Sequence, residues 1–276
     1  MTTSSWFNAS FVPNTQSGFT DFQVTIQPQS FQRDLNLVRC GESVANDILN
    51  QVNGDIYVGV SGGNHSEFVL RRFASVNANR TVPIIVSLPW NSEEVAYARS
   101  LCTKLNLDPW VVEYTDRAWL YNKLNSLSYQ LGRAGYMQSV VSLVSESVEG
   151  QGGKLVTGGG HHFNIGQEPN GRVTCFIDEF YFHEWDYYVV ENGHPGPFFT
   201  KSQQLFDSML MNTDMTLDVY SSLCYMYRHL YRPCCDIDTE LFQQARTRWS
   251  WGSQRPRWRS KFNRSQLKTL FNSLVI

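Results

Sequence analysis

The chain has 276 residues, 42% of them hydrophobic and 17% charged, with a formal net charge of −2. That length can bury one large core or two small ones, and the composition excludes an intrinsically disordered protein. No run of about 18 apolar residues occurs, so no helical membrane span is expected, and Met1-Thr2-Thr3-Ser4-Ser5-Trp6 has neither the basic nor the apolar region of a secretion signal.

In chain order, residues 1–40 read as a polar, turn-rich N-terminal extension with one alternating stretch, Phe22-Gln23-Val24-Thr25-Ile26. A helical pattern covers roughly 41–52. Ile56-Tyr57-Val58-Gly59-Val60 is a short apolar run of the kind found in a buried parallel strand, and it breaks off at Ser61-Gly62-Gly63. Val69 and Phe73, four apart and flanked by Leu70 and Ala74, mark the face of a following helix. Val82–Leu88 reads as a second strand stopped by Pro89. Ser92 with Glu93 and Glu94 opens a helix striped by Val95, Ala98, Cys102 and Leu105.

Trp110–Tyr114 is a third strand, and Met137, Val140, Val141, Val144 and Val148 have helical spacing. Lys154-Leu155-Val156-Thr157 is a fourth strand, broken by Gly158-Gly159-Gly160, and Val173–Ile177 is a candidate fifth. Strands alternating with helices of this length predict right-handed β-α-β units and a doubly wound parallel sheet over about 41–180. Beyond residue 180 the period is lost. Gly193-His194-Pro195-Gly196-Pro197 is a loop, and Leu205–Tyr231 reads as helical, so 181–276 is expected to form a mainly helical C-terminal part.

The 6 cysteines are scattered without a C-x-x-C pair, which predicts reduced thiols in a cytoplasmic protein. Charge is uneven. From Leu241 to the end there are 8 basic residues and no acidic ones, leaving 15 basic against 25 acidic elsewhere. Trp249, Trp251, Trp258 and Phe262 interleave with this basic tail. Residues 241–276 therefore suit a nucleic-acid backbone with stacked bases, a fold-back onto the acidic body, or a protein contact.

In a doubly wound sheet, ligands sit beyond the C-terminal strand ends near the point where strand order reverses. Two glycine-rich turns occupy such places: Ser61-Gly62-Gly63-Asn64-His65-Ser66 and Gly158-Gly159-Gly160-His161-His162. Glycines allow close approach of backbone to an anion, and helix-start amides supply positive potential.

Val58-Gly59-Val60-Ser61-Gly62-Gly63-Asn64-His65-Ser66 resembles the PP-loop, S-G-G-x-D-S, of N-type ATP pyrophosphatases, with closest similarity to the synthetase domains of asparagine synthetase and β-lactam synthetase. Lys154–His162 is similar to a later family turn, usually G-E-G-A-D-E. The resemblance covers about 40–165 and implies the adenine nucleotide alpha-hydrolase-like strand order 3-2-1-4-5, which sets the two turns side by side. It further implies that Ser61, Gly62, Gly63, Asn64 and Ser66 hold the phosphates of ATP. Ser87 and Leu88 would line adenine, and Gly158 and Gly160 would close the other wall. The implied reaction is adenylate-forming: a substrate carboxylate attacks the α-phosphorus, pyrophosphate leaves, and an amine displaces AMP.

The departures bear on catalysis. The PP-loop aspartate is His65 here, the second-turn aspartate aligns with His162, and the glutamate after it with Phe163. In the family those aspartates hold magnesium, a hard cation for which imidazole is a poor ligand. Three readings follow: His65 and His162, with His161, bind a softer ion such as zinc; the site binds ATP without catalysis; or Asp178, Glu179, Glu184 and Asp186 fold over it and replace the carboxylates. Lys201, Arg228 and Arg232 are candidate phosphate cations by position. No cysteine stands at residue 2 as a glutamine-using nucleophile, so an amine or ammonia comes from elsewhere. The expected function is thus an ATP-dependent amide or amine ligase, against a non-catalytic binding or structural relative or a nucleic-acid-modifying protein.

Overall fold

The computed structural model describes residues 7–13, 20–26, 35–89, 91–130, 140–158, 163–167, 173–177, 190 and 192–211. It begins with an antiparallel hairpin, β1 (Phe7–Pro13) and β2 (Thr20–Ile26). Helix α1 (Leu37–Gln51) follows, its N-terminus closed by Asn36, whose side chain accepts from the Arg39 amide at 3.0 Å.

Next come β3 (Ile56–Gly59), α2 (Asn64–Asn77), a 3-10 turn (Ala78–Arg80), β4 (Thr81–Ser87), α3 (Ser92–Lys104), β5 (Trp110–Glu113), α4 (Arg117–Gln130), α5 (Val140–Gly150) and β6 (Lys154–Thr157). A second antiparallel hairpin, β7 (Phe163–Gln167) and β8 (Val173–Ile177), precedes the short β9 (Gly196–Pro197) and α6 (Gln203–Met211).

Five strands form one parallel sheet in the order β5-β4-β3-β6-β9, which is 3-2-1-4-5 by position along the sheet-forming chain. Strand alternation sorts the core onto two faces. Ile56, Val58, Ile85 and Val156 join α1, α2, α3 and α6 through Val44, Ile48, Phe68, Phe73, Leu101 and Phe206. Their neighbours Tyr57, Ile84 and Leu155 point the other way, onto Val144 and Val148 of α5. The sheet is therefore covered on both faces, as the alternation of strands and helices predicts.

Local chemistry explains the boundaries. Helix α3 ends with Asn106 at φ 53°, where the Leu107 amide reaches Cys102 O (3.0 Å) and the Asn106 amide reaches Thr103 O (3.1 Å), a Schellman closure with asparagine in the left-handed position. Pro83 sits in β4 one residue before pairing with β5 begins at Ile84, on a stretch paired only with β3. The Arg80 guanidinium donates to the carbonyls of Leu49, Val52 and Gly54, tying the end of α1 and the approach to β3 to one cation.

One strand assignment is corrected. Val173–Ile177 is a strand, but it pairs antiparallel with Phe163–Gln167 in a separate hairpin. The fifth parallel strand is instead Gly196–Pro197, from the segment that reads as a loop, so the sheet draws on chain beyond residue 180. Of the expected helical stretch 205–231, Gln203–Met211 is helical; residues 212–276, the basic tail included, lie outside the described residues. Among the described residues no helix is long and apolar enough to cross a membrane. Cys40 and Cys102 are free thiols, and burial pushes the Cys102 thiol up to about 12, leaving it unreactive at neutral pH.

Candidate functional site

Because all five strands run the same way, the segments that leave their C-terminal ends share one rim: Val60–Gly63, Leu88, Tyr114, Gly158 and Phe198–Lys201. Strand order reverses between β3 and β6, so the turns after those two strands flank the switch point.

The turn after β3 is shaped by glycine and serine. Gly62 holds φ 77°, a conformation that L side chains rarely adopt. A Cβ there would also stand 3.2 Å from Glu94 O and 3.2 Å from the Tyr97 ring, so α3 presses directly on the turn. Ser66 Oγ accepts from the Ser61 amide (3.2 Å) and donates to Gly63 O (2.8 Å), while the two serine hydroxyl oxygens lie 3.3 Å apart. The buried Ser66 thus closes the loop, whereas Ser61 remains exposed. Gly63 caps α2 without any side-chain bond, and the first intrahelical bond runs from the Glu67 amide to Gly63 O (3.0 Å). The amides of Asn64, His65 and Ser66 form the helix's first turn, where no intrahelical carbonyl is within reach.

Gly158, directly after β6, meets the first turn. A Cβ on Gly158 would stand 2.9 Å from Ser66 N, 3.0 Å from His65 C and 3.2 Å from His65 O. Only a glycine lets β6 leave the sheet this close to the start of α2. Gly158 and the Ser61–Ser66 turn are therefore contiguous. On the other flank, the Asn91 side chain accepts from the Leu88 amide (2.7 Å) and donates to Val86 O (2.9 Å), fixing Ser87 and Leu88 at the end of β4.

His65 faces Phe199, ring centroids 5.5 Å apart and edge-on. Phe199 in turn stacks on Phe68 at 5.6 Å, so the imidazole joins an aromatic cluster built from α2 and the segment after β9. Lys201 closes that segment, its amide bonded to Phe198 O (3.2 Å), and burial lowers its ammonium to about 8.

Of the residues expected from sequence, Ser61, Gly62, Gly63, Asn64, His65, Ser66, Ser87, Leu88, Gly158 and Lys201 all lie on this one rim. Gly160, His161 and His162, the acidic residues 178–186, Arg228 and Arg232 lie outside the described residues. No group of three or more His, Cys, Asp or Glu able to hold a metal stands together among the described residues.

Sequence reasoning passed over a buried pair behind the turn. Glu67 is fully buried; its Oε1 pairs with Arg71 Nε at 2.9 Å and its Oε2 accepts from Tyr97 OH at 2.8 Å. The Glu-Arg spacing of four was visible in the sequence; the tyrosine, on another helix, was not.

No family model matches the chain, and no curated protein matches it. Solved structures similar to it include an NH3-dependent NAD synthetase from Campylobacter jejuni, 16% identical with a TM-score of 0.34 over 44% of this chain and 54% of that one. An NMN synthetase from Francisella tularensis is 14% identical, TM-score 0.36, over 45% and 54%. A glutamine-dependent NAD+ synthetase from Acinetobacter baumannii, solved with ADP, is 13% identical, TM-score 0.37, over 50% and 28%. The chain spans about half the length of the first two proteins and 28% of the third.

Proposed function

We propose that the sheet rim binds the phosphates of ATP in the manner of a PP-loop, and that the chain is an adenylate-forming amide or amine ligase. The observation that carries this is the contact of Gly158 with the first turn of α2, which brings the end of β6 against the glycine turn after β3 at the switch point of a parallel sheet. In this reading the first-turn amides of α2 and the exposed Ser61 face the pyrophosphate, with Gly158 and Gly160 as the far wall. Ser87 and Leu88 border adenine, and a carboxylate substrate attacks from the open side. Positioning and charge neutralisation would supply most of the rate.

The donor set fits phosphate better than it fits magnesium. Glu67, the carboxylate nearest the turn in sequence, is committed to Arg71 and Tyr97, and His65 packs as an aromatic. These two contacts favour a second reading, ATP binding without turnover. A softer ion shared by His65 and His162 is the arrangement that would restore a metal.

Calorimetry of the whole chain with ATP and magnesium, manganese or zinc in parallel, together with pyrophosphate release across carboxylate and amine panels, separates these readings. Binding with turnover supports the ligase, and binding alone supports the second reading. No binding with any of the three metals removes both.

Lys201 offers a finer test. Its depressed value means that the folded protein carries fewer protons there than the unfolded chain between about pH 8 and 10.5. Its burial cost, on the order of 3 kcal/mol, is therefore fully present below pH 8 and is relieved as pH rises toward 10.5. A phosphate beside the ammonium reverses the shift. ATP binding at pH 8.5 is expected to take up about half a proton or more, read from binding enthalpies in buffers of different ionisation heat. Lys201→Met is expected to abolish the uptake and weaken binding by about tenfold or more. Uptake that survives in the variant would take Lys201 out of the site.

A further inference from the structure

His194 is wholly buried, two residues ahead of β9. Its Nδ1 accepts from the Leu155 amide of β6 at 3.1 Å, so the ring stands where a strand carbonyl would otherwise pair. With Nδ1 an acceptor, the neutral ring carries its proton on Nε2, and that buried atom has no hydrogen-bond partner among the described residues. Two residues on, Gly196 and Pro197 pair with Val156 and Thr157, and the Phe198 amide donates to Thr157 O at 3.0 Å. A two-residue strand containing a proline has little ladder of its own. Its register depends on the His194 bond at one end and the Phe198 bond at the other.

We infer that His194 is the positioning residue that latches the fifth strand to β6, and through it holds Phe199 and Lys201 at the rim, and that protonation of its imidazole releases the latch. The consequence for phosphate binding rests on the nucleotide reading above; the latch itself does not.

The chemistry follows from Nδ1. An imidazolium is a donor at both nitrogens and cannot accept from Leu155. Among the described residues, the charged groups acting on the ring are Lys154 on β6 and Glu149 on α5. Burial, then Lys154, hold the imidazole below its ordinary range, while Glu149 acts weakly in the opposite sense. A group whose folded value is depressed loses stability as pH falls below its unfolded value of about 6.5. Release is thus an acid-side event.

Amide hydrogen exchange of Gly196 and of residues 198–201 in the whole chain without nucleotide, corrected for intrinsic rate, reads the latch directly. Between pH 7.5 and 5.5 the open population is expected to rise by about tenfold, the limit for one proton taken up by an imidazole whose open-state value is about 6.5. His194→Asn places an amide oxygen near the Nδ1 position and cannot titrate, so it is expected to keep the strand protected and lose the pH response. A flat wild-type response, or an equal rise in His194→Asn, overturns the latch. If that variant fails to fold, the wild-type chain serves: the rise is expected at the fifth strand and not at β3 and β4, and an equal rise across those strands overturns the proposal. ATP affinity measured at both pH values should weaken in parallel with opening. An exchange response without ATP binding at either pH supports the latch and rejects the nucleotide reading.

Discussion

Gly158→Ala is expected to weaken ATP binding by at least about tenfold and to destabilise the fold by about 1–3 kcal/mol. The added methyl would lie 2.9 Å from Ser66 N and 3.0 Å from His65 C, and both are backbone atoms that no rotamer change can withdraw. Either β6 or the first turn of α2 must move. The amides proposed to meet the phosphates belong to that turn, so affinity and stability fall together. Calorimetry with ATP and urea denaturation of the same preparation measure the two losses. Wild-type affinity in a folded Gly158→Ala protein would mean that the contact does not shape the binding surface, and the PP-loop reading would go with it.

Phe68→Ala is expected to cost about 3–5 kcal/mol, the largest stability effect of a single truncation here. Phe68 lies on α2 just past the glycine turn, is fully buried, stacks on Phe199 at 5.6 Å, meets Phe198 at 6.4 Å and carries the Arg72 guanidinium 5.4 Å above its ring. Removing it leaves a cavity between α2 and the segment after β9, and the two halves of the rim lose their common wedge. Chemical denaturation reads the loss. Phe68→Leu, which keeps most of the volume, is expected to recover more than half of it. A loss below about 1 kcal/mol in Phe68→Ala would show that the aromatic cluster does not bind the rim together.

The central sheet was legible because its strands carry their own signal. Ile56–Gly59 lies in an apolar run stopped by Ser61-Gly62-Gly63, and Lys154–Thr157 sets Leu155 and Val156 between a glycine pair and Gly158; burial on both faces requires such apolar neighbours. Gly196–Pro197 carries none. It becomes a strand only because β6 exposes an open edge and His194 sets the approach, both tertiary facts. Val173–Ile177 shows the converse: a good strand pattern does not say which partner it takes, and β7 was the nearer one. Helix α4 went unread because Trp119, Leu120 and Leu124 share it with polar residues that form no single stripe, and Trp119 is in fact exposed. The Ser61-Gly62-Gly63 turn was legible as a turn. That Gly158 lies beside it was expected from the family resemblance and is a matter of strand order, whereas the Glu67–Tyr97 bond joins two helices that no local pattern links.

Arg80 gives the opposite end of the molecule a different character. One guanidinium gathers three carbonyls from the junction of α1 and β3, so the base of the sheet is fastened by a side chain that never approaches the rim. A scaffold anchored from below tolerates exchange of the loops above it. New recognition segments can be installed after β4 or β5 while the foundation stays as it is.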